Sequence, residues 1–185
     1  MKRKIKTVAV YCGHTFGLHP AFVREAGLMV ELIGQIGLNI VFGGGDVGLM
    51  GTVAGAALEN GAHVIGISTE HVVAKQEPVH KGIDVQIVPG VNERKQKMFD
   101  LSDAFIILPG GIGTLNEVTD ILTMQQIGET NKPIFFLNTR HFWWAFHELI
   151  VDMMNNQFIS SLDDYNVTIA SDPQELIEDI LNYNA

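Results

Sequence analysis

The sequence has 185 residues, of which 46% are hydrophobic and 18% charged, and this excludes general disorder and predicts one folded domain spanning residues 1–185. Its 12 lysines and arginines against 21 aspartates and glutamates give a net charge of −9, which excludes a broad basic face for nucleic acid. A single cysteine excludes an intrachain disulfide, and no apolar run is long enough for a signal sequence or a membrane span, so a cytoplasmic protein with no membrane partner is expected.

The first half of the chain alternates short apolar runs with helical patterns. The apolar runs predict strands at Val8–Tyr11, Leu38–Phe42 and Val64–Ile67. Apolar residues at helical spacing predict a helix that starts near Pro20 and stops at Gly37, and a small-residue helix follows over Met50–Glu59. Residues 70–85 show neither pattern and are predicted to be irregular.

The second half continues this alternation. Strands are predicted at Val85–Val88, Ala104–Leu108, Ile134–Leu137 and Val167–Ile169. Helices are predicted at Asn92–Leu101, at about Leu115–Ile127, at about Phe142–Met154, and after Asp172-Pro173, where Glu175 completes a capping pattern. Strands that alternate with helices and lack tight hairpins indicate an α/β fold: a single doubly wound domain whose parallel sheet carries helices on both faces.

Glycine-rich turns follow two of the predicted strands. Gly43 to Gly48 matches the pattern G-x-G-x-x-G, and Glu70 follows about 20 residues later, as in a dinucleotide-binding site. The match is a weak one, because glycine-rich loops meet this pattern by chance and because it follows the second strand rather than the first. Tight packing of strand against helix is the alternative explanation of the glycines. The loop lacks the Gly-Lys-Ser/Thr ending of an ATP-binding P-loop.

The second turn, Pro109 to Glu117, leads into a predicted helix. Thr114 and Glu117 have the spacing of a capping box, yet a phosphate at the same helix start would use the same N–H donors. The adjacent cations Arg94 and Lys95 are by themselves typical of a solvated helix face. The histidines show no metal-ligand spacing, and the aromatic residues around Trp143 indicate core or subunit interface.

Taken together, three segments resemble the Lonely Guy family of cytokinin riboside 5′-monophosphate phosphoribohydrolases, formerly labelled possible lysine decarboxylases. The segments are Gly43 to Gly51, Glu93-Arg94-Lys95 followed by Met98, and Pro109 to Glu117. The resemblance implies a Rossmann-like fold, no cofactor, a homodimer, and hydrolysis of the N-glycosidic bond of a purine nucleoside 5′-monophosphate to free base and ribose 5-phosphate.

The resemblance also implies the site residues. Catalysis falls to Arg94 and Glu117, and the further substrate-binding positions are Glu77, Lys95, Gly111, Ile112, Gly113, Thr114, Leu115, Asn116 and Thr123. The backbone of Gly111 to Thr114, with Gly43, Gly44 and Gly45, is expected to hold the 5′-phosphate. The chain departs from the family pattern at His14 and Thr15, where serines are usual, at Asn116, a usual glutamate, and at Met124, a usual tryptophan.

Three other functions stay open from the sequence. The departures favour a protein that binds a nucleotide without hydrolysing it. The glycine fingerprint allows an NAD-dependent oxidoreductase. Lysine decarboxylation has the least support, because it requires pyridoxal phosphate on a lysine, and no lysine has a setting typical of that role.

Overall fold

The computed structural model describes residues 4–75 and 80–184. These residues form one seven-stranded parallel sheet in the order β4-β3-β2-β1-β5-β6-β7. The strands are β1 Thr7–Tyr11, β2 Asn39–Phe42, β3 Val64–Thr69, β4 Asp84–Val88, β5 Ala104–Ile107, β6 Ile134–Leu137 and β7 Val167–Ala170. The α-helices are α1 Pro20–Gln35, α2 Gly48–Glu59, α3 Glu70–Lys75, α4 Val91–Leu101, α5 Ile112–Gln126, α6 Trp144–Asn155 and α7 Pro173–Asn184.

Alternate residues of each central strand enter two separate cores. In β1, Val8 and Val10 pack under α1, α2 and α7, whereas Ala9 and Tyr11 point to the other face, where α4 and α5 lie. This is the period-2 alternation of a strand that is buried on both sides. The predicted doubly wound α/β fold, with helices on both faces of a parallel sheet, is confirmed.

Two local predictions were wrong. Residues 70–85 are not wholly irregular, because a short helix, α3, starts directly at the end of β3 and strand β4 begins at Asp84. Helix α5 begins at Ile112 rather than near Leu115, because Gly111 serves as its N-cap residue with an extended backbone. The capping predicted for the last helix is confirmed, since Asp172 Oδ1 accepts hydrogen bonds from the N–H groups of Gln174 and Glu175.

The chain reverses its direction of travel across the sheet between β1 and β5. The sheet grows from β1 to β2 on one side and from β5 to β6 on the other, so the loops after β1 and β5 open a crevice between them. The two loops are joined by a hydrogen bond from Gly13 N–H to the Pro109 carbonyl, 3.0 Å long. Ligands of open α/β sheets bind at this position.

None of the helices in the described part of the chain is both long and apolar enough to cross a membrane.

Candidate active site at the carboxyl ends of β1 and β5

The first turn of α5 carries unsatisfied backbone donors. No side chain caps this helix, and a Cβ atom built on Gly111 or Gly113 meets nothing within 4 Å. Of the two explanations that the sequence left open here, the capping box is wrong: Thr114 lies in the first turn instead of at the cap, with its hydroxyl against Gly110. An uncapped helix N-terminus with open space before it is suited to an anion.

Arg94 and Glu117 form an ion pair across the crevice. Arg94 Nη1 lies 3.5 Å from Glu117 Oε1, and both side chains are largely buried, at 14% and 11% exposure. The guanidinium is also held by the sheet, because its Nε donates a 2.8 Å hydrogen bond to the Ile67 carbonyl in β3. Helices α4 and α5 thus hold the pair predicted to be catalytic in one defined position.

Gly43 makes room for that arginine. A Cβ atom at this position would clash with Arg94 Nη2 and would lie 2.6 Å from Met50 Sδ. The next glycines serve packing instead: Gly44 has a φ of +79° with Val85 close by, and Gly48 lies against the backbone of His14. Close approach therefore accounts for Gly43 and Gly48 of the fingerprint, in line with the packing explanation that the sequence left open.

Two cavities meet at Glu117. The glycine cavity, about 110 Å³, is bounded by Gly43, Arg94 and the start of α5 from Gly111 to Thr114. The α4–α5 cavity, about 200 Å³, is bounded by Lys95, Phe99, Asp120 and Met124, among others. Among the described residues, Tyr11 and Glu117 are the two that line both cavities.

Lys95 is held by α5 on the rim of the α4–α5 cavity. Its Nζ donates a 3.1 Å hydrogen bond to Asn116 Oδ1 and forms an ion pair with Asp120. Asn116, which replaces the usual glutamate, thus contacts the lysine as an amide. Lys95 and Asp120 thus place one positive and one negative charge next to Glu117.

Glu117 does not titrate as an ordinary carboxyl. Burial raises the pKa of Glu117 to about 7, Arg94 and Lys95 act against that rise, and Asp120 adds to it. A carboxyl that is desolvated, paired with specific charges and placed in a cleft is a typical feature of a functional site.

The structure brings together some of the predicted site residues and separates others. Arg94, Glu117, Gly43 and the segment from Gly111 to Thr114 share the glycine cavity, whereas Gly44 and Gly45 are buried and do not line it. Leu115 and Thr123 lie on another side of α5 and line a third cavity. Thr123 Oγ1 donates to the Thr119 carbonyl, and Glu77 falls outside the described residues.

Two residues of the site escaped prediction. Asp120 lies three residues after Glu117, so helical spacing alone places both carboxylates on one face of α5. No spacing in the sequence identifies Tyr11. The face of the sheet that its side chain enters depends on the pairing of β1 with β2 and β5. No cluster of three or more His, Cys, Asp or Glu side chains in residues 4–75 and 80–184 is arranged to hold a metal ion.

Comparison with known proteins identifies relatives along the whole chain. The model of the family described as "Possible lysine decarboxylase" matches residues 50–180. The cytokinin riboside 5′-monophosphate phosphoribohydrolase of Rhodococcoides fascians is 40% identical over 75% of this chain and 70% of its own length. The Arabidopsis thaliana enzyme of the same name is 31% identical over 99% of this chain and 86% of its own length.

Solved structures share the fold. A molybdenum cofactor binding protein from Rippkaea orientalis superposes with a TM-score of 0.73 at 27% identity, covering 100% of both chains. The molybdenum cofactor carrier protein of Chlamydomonas reinhardtii superposes with a TM-score of 0.72 at 19% identity, covering 98% of both.

Proposed function

This chain belongs to the Lonely Guy family of cytokinin riboside 5′-monophosphate phosphoribohydrolases, formerly described as possible lysine decarboxylases, and we propose that it hydrolyses the N-glycosidic bond of purine nucleoside 5′-monophosphates. The products are the free base and ribose 5-phosphate, and AMP and a cytokinin riboside monophosphate are the proposed substrates. The observation that carries this proposal is the buried Glu117 carboxylate, which is paired with Arg94 directly beside the open start of α5.

The start of α5 is proposed to bind the 5′-phosphate. Its uncapped first turn lines the glycine cavity, and the partial positive charge at a helix N-terminus favours an anion there. Gly43 lines the same cavity beside Arg94. A phosphate bound here would place the attached ribose next to Glu117.

Glu117 is then positioned to assist cleavage of the bond. Hydrolysis of an N-glycoside passes through an oxocarbenium-like state with positive charge on the sugar. A carboxylate about 4 Å from that charge, at an effective dielectric constant of about 20, contributes about 4 kcal/mol, or roughly a thousandfold in rate. Only the part of this attraction that grows between ground state and transition state accelerates the reaction.

Arg94 is proposed to keep Glu117 in place and ionised. Its charge opposes the rise in the pKa of Glu117 that burial causes, and its bond to Ile67 fixes the guanidinium in the crevice. Lys95 assists from the other side through Asp120 and Asn116. A lysine engaged in this way is not a free amine of the kind that condenses with pyridoxal phosphate, so decarboxylation gains no support from the site.

A homodimer is proposed from the third cavity, which we call the α5–α6 cavity. It measures about 430 Å³ and is lined mainly by apolar side chains of α5, α6 and β7. Thr123, a substrate-binding position implied by the resemblance, faces this cavity and not Glu117. A second copy of the chain docked on this face would bury the apolar surface and bring Thr123 near a subunit boundary.

The test is to incubate the purified protein with AMP and to measure free adenine and ribose 5-phosphate by chromatography. Glu117→Gln is expected to bind AMP with an affinity close to that of the wild type and to lose about a thousandfold in turnover. Near-normal turnover by this variant would remove Glu117 from the mechanism. Parallel reactions with GMP, CMP and an N6-isopentenyl nucleotide identify the preferred base.

A second candidate function is a carrier that binds a phosphorylated ligand without cleaving it. It is favoured by the likeness, at 27% identity over the whole chain, to a protein described as a molybdenum cofactor binding protein. Binding of AMP by the wild-type protein without any release of adenine would support this candidate against the hydrolase.

A further inference from the structure

Tyr11 ends β1 in a fixed position between the two cavities. Its side chain is 3% exposed and pairs in register with Ile107 of β5. Its ring stacks on that of Phe105, with centroids 5.9 Å apart and planes 10° from parallel. The hydroxyl is therefore held where the rigid sheet places it, without the freedom of a loop residue.

The Tyr11 hydroxyl makes no hydrogen bond to any described residue, although the side chain is almost wholly buried. A hydroxyl that packing seals off without a partner loses its solvation and gains nothing in return. Among the described residues, the side-chain polar atom that is sealed off in this way is Trp143 Nε1 and not the Tyr11 hydroxyl. The hydroxyl therefore opens into the space that Tyr11 lines and is available to a molecule bound there.

The surroundings of the hydroxyl favour its protonated form, although the Arg94 charge acts in the opposite direction. Burial raises the pKa of Tyr11 far above its usual range, and the neighbouring Glu117 carboxylate raises it further. At neutral pH the hydroxyl is consequently a hydrogen-bond donor. Toward a bound molecule it acts as a neutral donor that keeps its proton.

The two cavities match the two ends of a nucleotide. The glycine cavity offers helix N–H groups, which suit a phosphate. The α4–α5 cavity has apolar walls at Phe99, Ile121 and Met124 and a polar edge at Asn92, which suit a flat heterocycle. The bond between ribose and base would then cross the junction at which Tyr11 and Glu117 face both cavities.

The departing base needs a donor at that junction, since it takes the electron pair of the broken bond. Glu117 is an acceptor when ionised, and Arg94 is engaged with Glu117 and Ile67. Lys95 is engaged with Asn116 and Asp120. Of the two residues that line both cavities, Tyr11 is the one with an uncommitted donor.

We propose that the Tyr11 hydroxyl contacts the substrate and donates a hydrogen bond to a ring nitrogen of the departing base. The inference rests on the proposed hydrolase function. The oxygen of water bonds to C1′ and the water loses a proton to Glu117, while the C1′–N electron pair stays on the base. The base takes up a proton from solvent, Glu117 returns its proton to solvent, and Tyr11 keeps its own.

The experiment compares two ribose 5-phosphate substrates whose leaving groups differ in their need for a hydrogen-bond donor. These are AMP and 4-nitrophenyl ribofuranoside 5-phosphate, whose nitrophenolate leaves without one. Tyr11→Phe is expected to lower kcat for AMP by about tenfold to a hundredfold, the effect of one hydrogen bond to a developing charge. The same variant is expected to keep kcat for the nitrophenyl substrate within about twofold.

Control variants separate this role from a general defect. Tyr165→Phe, on the α5–α6 cavity, is expected to equal the wild type on both substrates, and Glu117→Gln is expected to be slow on both. Wild-type rates of Tyr11→Phe on AMP, or equal losses on both substrates, would overturn the inference while leaving the hydrolase intact. A wild-type protein that binds AMP but cleaves neither substrate would overturn the proposed function, and the inference with it.

Discussion

At the scale of single residues, the site depends on charges that shift the ionisation of Glu117. Burial favours the neutral acid, Arg94 and Lys95 favour the carboxylate, and Asp120 disfavours it. The proposed mechanism requires the carboxylate. The protein is therefore expected to gain activity as the pH rises through the pKa of Glu117.

The pH dependence of kcat/KM tests this balance. With a pKa of about 7, kcat/KM for AMP is expected to rise as the pH passes from 6 to 8. Asp120→Asn removes a negative charge and should move the rise to lower pH, whereas Lys95→Met removes a positive charge and should move it to higher pH. Asp100→Asn, an exposed carboxylate on α4, is the matched control and should leave the profile unchanged. Shifts of the same sign in both site variants would contradict the charge assignment.

The stability of the protein should change with pH in the opposite direction to its activity. Because the pKa of Glu117 is raised from 4.5 to about 7, the folded protein binds more protons than the unfolded chain between these values. The free energy of unfolding therefore falls as the pH rises through that window. Glu117→Gln lacks this loss, so its stability relative to the wild type should increase by up to about 3 kcal/mol between pH 4.5 and pH 8. Urea denaturation at both pH values measures the difference, and parallel changes in the two proteins would count against a buried, raised carboxyl.

At the scale of elements, the start of α5 contains a glycine that a ligand explains and the fold does not. Gly113 lies in the first turn of the helix, and a Cβ atom there would meet nothing within 4 Å. The fold therefore gives no reason for glycine at this position. A bound phosphate gives one, since a methyl group would narrow the glycine cavity.

Gly113→Ala tests that distinction. The variant should be as stable as the wild type or more stable, because alanine favours a helix over glycine by up to about 1 kcal/mol. Its KM for AMP should nevertheless rise several-fold. Gly55→Ala in the middle of α2, where a Cβ is also unobstructed, is the control and should gain stability with no change in KM. An unchanged KM in Gly113→Ala would place the phosphate elsewhere.

Sequence reasoning succeeded where an element has its own pattern. The central strands are continuous apolar runs, so their existence and order along the chain were predictable. Helix α3 was missed because it has only six residues. The start of α5 was misplaced because glycine, which does not favour a helix, lies at its N-cap and in its first turn. The Arg94–Glu117 pair was inferred from resemblance, whereas the position of Tyr11 needed the register of the sheet.

At the scale of the whole molecule, the face that carries α6 exposes several large apolar side chains. Helix α6 has no fully buried residue along its length, and Trp144 and Leu149 are at least half exposed. Phe158, just beyond the helix, is 81% exposed. Exposed apolar side chains on and next to one helix, beside a cavity with apolar walls, are typical of an interaction surface.

The proposed homodimer makes this face the subunit interface. Leu149→Glu places a charge in the α5–α6 cavity, where a docked copy would have to bury it at a cost of several kcal/mol. The wild type is expected to show twice the mass of the chain by light scattering, and the variant the mass of one chain. Leu181→Glu on α7, which is 48% exposed on the other side of the sheet, is the matched control and should stay dimeric. A dimer that survives Leu149→Glu would assign the interface to another surface, because an unpaired charge in a packed apolar interface is not tolerated.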